Sequence, residues 1–150
     1  MPRRIAYMKV APEGIKALAA TGPYFESASI PPRLRALVEL RTSQINGCAY
    51  CVDMHSQEAR KAGETQQRLD CLPVWRETPF FDARERAALA WAESVTLVSQ
   101  TGVPDSVFEE AKAHFSEKEL VDLTLFVAAM NAWNRMAISF RIEPGRRPES

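Results

Sequence analysis

The chain of 150 residues is sparing with the side chains that carry most protein chemistry, having three cysteines and two histidines. It has no excess of one charge, since 19 lysines and arginines face 19 aspartates and glutamates. No large field would draw it to nucleic acid or to an anionic membrane. No stretch reaches the ~20 apolar residues of a membrane span, and the N-terminal MPRRIAYMKVAPEG has early arginines but no apolar run of signal-peptide length. A cytoplasmic protein without nucleic-acid or membrane partners is the expectation. In that compartment thiols are kept reduced, and a close cysteine pair is more often catalytic or metal-binding than a permanent staple. A Gly-rich nucleotide fingerprint is also missing, so electrons from a nicotinamide or flavin would not be drawn by the chain itself. No bound cofactor and no metal is expected.

Clean polar/apolar alternation is absent as well, and with it the signal of a half-buried strand. The apolar spacing is helical almost everywhere, which makes the chain all-α. Its length suits one domain, residues 1–150, able to bury roughly two thirds of the surface its unfolded chain exposes. No repeat, low-complexity segment or linker divides it, and the polar tail 143–150, EPGRRPES, is expected to fray. PPRLRALVELRTSQI opens with prolines suited to a first helical turn and places Leu34, Leu37, Val38, Thr42 and Ile45 at helical spacing before Asn46-Gly47 interrupts it. CAYCVDMHSQEARKAG reads as the next helix, capped near Gly63. One short helix and a loop with two prolines are expected before Phe81. Asp82 and Glu85 have capping-box spacing and start a helix with Ala87, Trp91, Val95 and Val98 on one stripe, stopping near Gly102. Val107, Ala111 and Phe115 mark a shorter amphipathic helix. Ser116 and Glu119 begin the last one, which has one apolar stripe at Leu120, Leu123, Val127, Met130 and Ala137 and a second at Val121, Leu125, Ala128 and Ala132. A helix apolar on two sides is central, or buried between subunits.

Against this scarcity, NGCAYCVDMH gathers Cys48, Cys51 and His55 within eight residues. Residues three and four apart are neighbours on a helix, so the three form one stripe over two turns. If the helix starts at the Asn46-Gly47 break, both cysteines lie in its first turns, where free N–H groups and the macrodipole favour an anion. A helix N-terminus, a neighbouring imidazolium and a Cys-x-x-Cys arrangement each lower a thiol pKa from ~8.5 towards roughly 3.5–7.5, and all three conditions meet here.

Other readings of the triple exist. A zinc site needs a fourth ligand, and the other candidates, Cys71 and His114, stand alone without ligand spacing. A structural disulfide closing so short a loop constrains the unfolded chain little. Buried cysteines beside a satisfied core histidine are the plainest possibility. Trp75, Trp91 and Trp133 read as core or interface side chains.

The block INGCAYCVDMH, preceded by RLRALVELRTSQ, resembles the alkylhydroperoxidase D-like (AhpD-like) proteins of the carboxymuconolactone decarboxylase superfamily. NAWNRMAISFR, Asn131 to Arg141, is similar to the closing segment of its short, single-unit, peroxidase-related branch, and the likeness spans about residues 15 to 141. It implies a compact helical domain that assembles into a homo-oligomer, a hexamer built as a trimer of dimers being the leading expectation. It also implies a thiol-dependent peroxidase, an oxidoreductase reducing organic hydroperoxides with electrons from an external dithiol, thioredoxin-like or lipoyl-type. In that likeness Cys51 is the peroxidatic thiol, Cys48 the resolving thiol and His55 a proton relay. The relay glutamate of the family lies twelve residues before the first cysteine, where this chain has Ala36, and a relay histidine found between the cysteines is Tyr50 here. The nearest carboxylate is Glu39. On one unbroken helix the nine residues from Glu39 to Cys48 turn through about 900° and face it away, so Glu39 joins the relay only if the chain breaks at Asn46-Gly47; its alternative role is a surface or interhelical ion pair with one of the nearby arginines. Alternatives are a carboxymuconolactone decarboxylase-like lyase, which would use a histidine and needs no cysteine, and a non-catalytic, redox-sensing helical oligomer.

Overall fold

A computed structural model describes residues 2–145 and is helical throughout, with no strand among them. Three short N-terminal helices, α1 (Tyr7–Val10), α2 (Pro12–Ala19) and α3 (Thr21–Glu26), precede α4 (Pro32–Asn46) and α5 (Ala49–Lys61). After α6 (Gln66–Cys71) and a 3-10 segment (Leu72–Glu77) come α7 (Ala83–Thr96), α8 (Val98–Thr101), α9 (Asp105–His114) and the long α10 (Glu117–Phe140). Both capping boxes form: Asp82 with Glu85 at the start of α7, and Ser116 with Glu119 at the start of α10. Each satisfies two helix N–H or N-cap donors that would otherwise lack a partner.

The central element is α4, which packs against α5, α7 and α10. Leu34 and Val38 face a core shared with Trp91, Leu123, Phe126 and Val127. Leu37 and Leu40 face a second core with Leu72, Trp75 and Leu89. A helix enclosed on both sides must also bury polar groups, and Glu39, Thr42 and Ser43 are among its buried residues. Two stripes on α10 do not make it the central helix. Leu120, Leu123, Val127, Met130 and Ala137 are buried, whereas Val121 and Leu125 are 58% and 40% exposed and Ala128 is exposed too.

The helix from Ala83 stops at Thr96, earlier than the expected Gly102. Leu97 leaves helical geometry (φ −97°, ψ 31°), and the Thr101 hydroxyl donates to the Ser94 carbonyl at 2.8 Å. A run of β-branched residues, Val95, Thr96 and Val98, weakens the helix there. The separate turn α8 closes on Gly102, and Val98 is exposed instead of extending the buried stripe. Of the tail 143–150 expected to fray, residues 143–145 lie outside any helix and are exposed, and 146–150 lie outside the described residues.

The break between α4 and α5 is the turn that positions everything below. Gly47 caps α4 in the left-handed region (φ 69°, ψ 31°), Gly47 N–H reaches the Gln44 carbonyl, and Cys48 N–H reaches that of Ser43. A Cβ at Gly47 would meet nothing within 4 Å, so a side chain there costs conformational energy alone. Gly47→Ala is expected to lower stability by about 1–2 kcal/mol, read as a lower denaturation midpoint with an unchanged denaturant slope.

Candidate active site

Cys48 is the N-cap of α5, and its sulfur accepts the Cys51 N–H at 3.3 Å. Cys51 therefore sits at the third helical position, and the two are joined as a disulfide with their Cα atoms 5.3 Å apart. Both are buried, at 1% and 2% exposure, against Ala137 of α10. His55 follows Cys51 by one turn and is 4% exposed.

Because Gly47 reverses the chain, the Glu39 face of α4 looks onto α5. Glu39 Oε2 lies 3.8 Å from His55 Nδ1, the position Glu39 reaches only through a break at Asn46-Gly47. A nearer partner, which sequence reasoning missed, is Glu58, whose Oε2 is 2.7 Å from the same nitrogen. Its signal was available as i,i+3 spacing on α5. Glu39 also has the ion pair with a nearby arginine that was its alternative role: Arg35, one turn earlier on α4, donates to Glu39 Oε1 at 3.0 Å and to Glu26 Oε1 at 3.2 Å. The result is a charged chain, Glu26–Arg35–Glu39, ending at the imidazole, with Glu58 beside it.

Electrostatics distinguish the two acids. The hydrogen bond from His55 holds the Glu58 carboxyl below the ordinary carboxylate range. Burial pushes the Glu39 carboxyl up, against the pull of Arg35 and His55. A carboxylate facing Nδ1 assigns the proton of the neutral ring to that nitrogen and leaves the lone pair on Nε2. Nε2 is buried and has no hydrogen-bond partner among the described residues. The Glu39, His55 and Glu58 ligand-type atoms lie within 4.8 Å of one another. Here His55 is hydrogen-bonded to Glu58 and Arg35 donates to Glu39, while Glu39 and the imidazole stand 3.8 Å apart. Among the described residues neither Cys71 nor His114 joins a ligand-spaced cluster.

These acids give opposite pH dependences. Glu58, with its folded pKa lowered, contributes stability that is present above the unfolded value of ~4.3 and lost as pH falls through its folded value. Glu39, with its folded pKa raised, contributes stability that is present below the unfolded value and lost as pH rises through the folded one. Glu58→Gln is therefore expected to flatten the acid-side loss of stability and Glu39→Gln to steepen it, as measured by denaturation between about pH 6 and pH 3.

A cavity of about 300 Å³ opens beside this group. Cys51, His55 and Glu39 form its polar wall, Phe25, Met54, Met130 and Trp133 much of its apolar one, and Tyr7, Met8 and Tyr50 also line it. Trp133 is thus a wall of the site, whereas Trp75 and Trp91 are core residues whose indoles donate to Glu93 (2.9 Å) and Thr124 (3.0 Å). The arrangement sets a cysteine sulfur and an imidazole on the wall of one apolar chamber and lets the two cysteines close a disulfide within one helical turn.

Residues 13–94 match the model of the Carboxymuconolactone decarboxylase family. The chain belongs to this family. The matched span holds Glu39, Cys48, Cys51, His55 and Glu58 but ends within α7, so the α10 side of the cavity lies outside it. Over 139 residues the chain is 42% identical to the uncharacterized protein YdfG of Bacillus subtilis (strain 168), covering 93% of this chain and 95% of that one. The crystal structure of a protein of unknown function from Agrobacterium tumefaciens, named provisionally as the antioxidant defence protein AhpD, superposes with a TM-score of 0.94 at 43% identity and covers 97% of this chain and all of that one. An uncharacterized peroxidase-related protein of Ralstonia eutropha JMP134, described as an alkylhydroperoxidase AhpD core, shares the fold at a TM-score of 0.81 and 24% identity, over 92% and 74% of the two chains. Both solved structures show the AhpD-like fold in this family member.

Proposed function

We propose that this family member is a thiol-dependent peroxidase that reduces organic hydroperoxides. The observation that carries the reading is the shared cavity wall: Cys51 and His55 meet an apolar chamber, and the histidine has its Nδ1 anchored by Glu58 and its Nε2 buried and unpartnered. A lyase acting through the histidine alone would have no use for a sulfur at the same wall that closes a disulfide with a second one behind it.

In the reduced protein, His55 Nε2 takes the Cys51 proton, while Glu58, and Glu39 behind it, favour the resulting imidazolium. The thiolate attacks the distal oxygen of the hydroperoxide. An S–O bond forms and the O–O bond breaks; the sulfur is oxidised to a sulfenic acid, and the leaving alkoxide takes the proton from His55 to depart as an alcohol. The Cys48 thiol then attacks the sulfenic sulfur, forming the disulfide and releasing water. An external dithiol restores both thiols by exchange and leaves as its own disulfide. Apolar lining suits the organic part of such a substrate, since it buries hydrocarbon without leaving polar groups unpaired.

Self-association belongs to the same proposal. The exposed stripe of Val121, Leu125 and Ala128 on α10 is apolar surface of the kind subunits cover, with a hexamer built as a trimer of dimers as the expected assembly. Light scattering at micromolar concentration should give a multiple of the 16.8 kDa chain mass, and a clean monomer would defeat it. The catalytic reading is tested by incubating the protein with cumene hydroperoxide and a dithiol reductant. Consumption over many turnovers is expected, and its absence would remove the reading.

A further inference from the structure

The cysteine pair hangs on a hinge of one turn. Asn46 ends α4, Gly47 is its left-handed cap, and Cys48 already caps α5. Whether Glu39 faces His55 depends on the angle of this turn, and glycine does little to stiffen it. The stiffness comes from α10. Asn46 Nδ2 donates to Asn134 Oδ1 at 2.8 Å and to Asn131 Oδ1 at 3.1 Å. Asn134 Nδ2 donates in turn to Ser43 Oγ at 3.1 Å, and Ser43 Oγ donates to the carbonyl of Glu39 at 2.9 Å. Asn134 is fully buried, with both ends of its amide engaged.

A buried amide is a costly way to fill space, because its desolvation offsets most of what its hydrogen bonds return, and an apolar side chain of equal volume packs as well. What the amide adds is direction. Its neighbours on α10 are Met130, which lines the cavity, and Ala137, which packs on Cys48 and Cys51. One side chain therefore ties together the turn of α4 that carries Glu39, the hinge that aims α5, and the α10 wall of the chamber.

We infer that Asn134, through Asn46 and Ser43, is a positioning residue of the thiol site, holding the α4–α5 hinge at the angle that brings Glu39 to His55. The inference rests on the reading of His55 as the group that activates Cys51, and Asn134 itself touches no reacting atom. Without the amide, Asn46 keeps Asn131 alone, the hinge relaxes, and the Glu39 carboxylate loses its hold on the imidazole. The ionisable groups lining the cavity around His55 are Arg35 and Glu39 from α4, Glu58 and Tyr50 from α5, and Tyr7 from α1; α10 supplies none. Loosening the hinge should therefore be felt at Cys51 mainly through Glu39.

The test is peptide-resolved alkylation of Cys51 in the reduced full chain as a function of pH, run on the wild type, Glu39→Gln, Asn134→Leu and the double variant, with a thermal melt of each. Glu39→Gln is expected to raise the alkylation midpoint by about half a unit, roughly a threefold drop in the acidity constant of the thiol. Asn134→Leu should raise it by a similar amount, and the double variant by no more than either single one. A lowered melting temperature with an unmoved midpoint, or shifts that add in the double variant, would overturn the inference and leave Asn134 a packing residue. Should Asn134→Leu fail to fold, Asn46→Asp makes the same comparison: it keeps the volume but sets a carboxylate against the Asn131 and Asn134 oxygens at a half-buried position. A His55→Ala profile identical to the wild type would remove the reading of the site and this inference with it. A profile that depends on His55 but ignores Asn134 would remove only the inference.

Discussion

Cys51→Ser is expected to abolish peroxide consumption, and Cys48→Ser is expected to stop it after about one equivalent per chain. The difference follows from the places of the two sulfurs. Cys51 is on the cavity wall one turn from His55, whereas Cys48 caps the helix behind it and packs on Ala137. A serine hydroxyl at position 51 has no thiolate to accept oxygen, so even the first turnover is lost. At position 48 it removes only the thiol that would expel water from the sulfenic acid. Cys71, a half-exposed thiol at the end of α6, has no base placed beside it, and Cys71→Ser should leave turnover unchanged. Loss of turnover in Cys71→Ser equal to that in Cys51→Ser would show the wrong thiol had been chosen.

His55→Ala should raise the pH midpoint for Cys51 alkylation by more than one unit and slow peroxide attack at neutral pH. A helix N-terminus stabilises an anion by typically 0.3–1 kcal/mol, less than the ~1.4 kcal/mol of one pKa unit. The N-cap sulfur that receives a helix N–H is moreover that of Cys48, so the helix end favours the wrong thiolate. Burial of Cys51 adds a desolvation cost to its charged form. The imidazolium one turn away offsets these effects, and since both side chains are buried the pair is weakly screened. The sharper outcome is an exchange of order. In the wild type Cys51 should be the first thiol alkylated near neutral pH, and in His55→Ala it should be Cys48. Glu58→Gln should move the Cys51 midpoint in the same direction as His55→Ala but by less, because it acts only through the ring. Unchanged midpoints in all these variants would favour a redox-sensing or structural pair.

What the sequence made legible is what local geometry decides. The two capping boxes and the Cys48, Cys51, His55 stripe each lie within about two turns of chain and the period of α4 within one helix, and the structure places them as their spacing implies. Glu39 was legible only conditionally. The Asn46-Gly47 break could be read from residue type, but its angle depends on Asn134, 88 residues from Asn46. Glu58 lay at a readable spacing from His55, yet in a chain with a quarter of its residues charged nothing local separates it from an ordinary solvated acid. The helices α1 to α3 were too short to show a period, although Tyr7 and Met8 line the cavity. The apolar wall of Met130 and Trp133 is a tertiary fact, since it exists only where α10 crosses the start of α5. The second stripe of α10 shows the converse: its pattern was plain, but pattern alone could not say whether a neighbouring helix or another subunit covers it.

The central claim is that Cys51 is the atom a hydroperoxide oxidises. It is tested most directly by treating reduced Cys48→Ser protein with one equivalent of cumene hydroperoxide in the presence of a dimedone-type probe, followed by peptide mass spectrometry. The account predicts one probe adduct per chain, on Cys51, with an equivalent of alcohol released; an adduct on Cys71, or peroxide left unconsumed with Cys51 still a thiol, would contradict it.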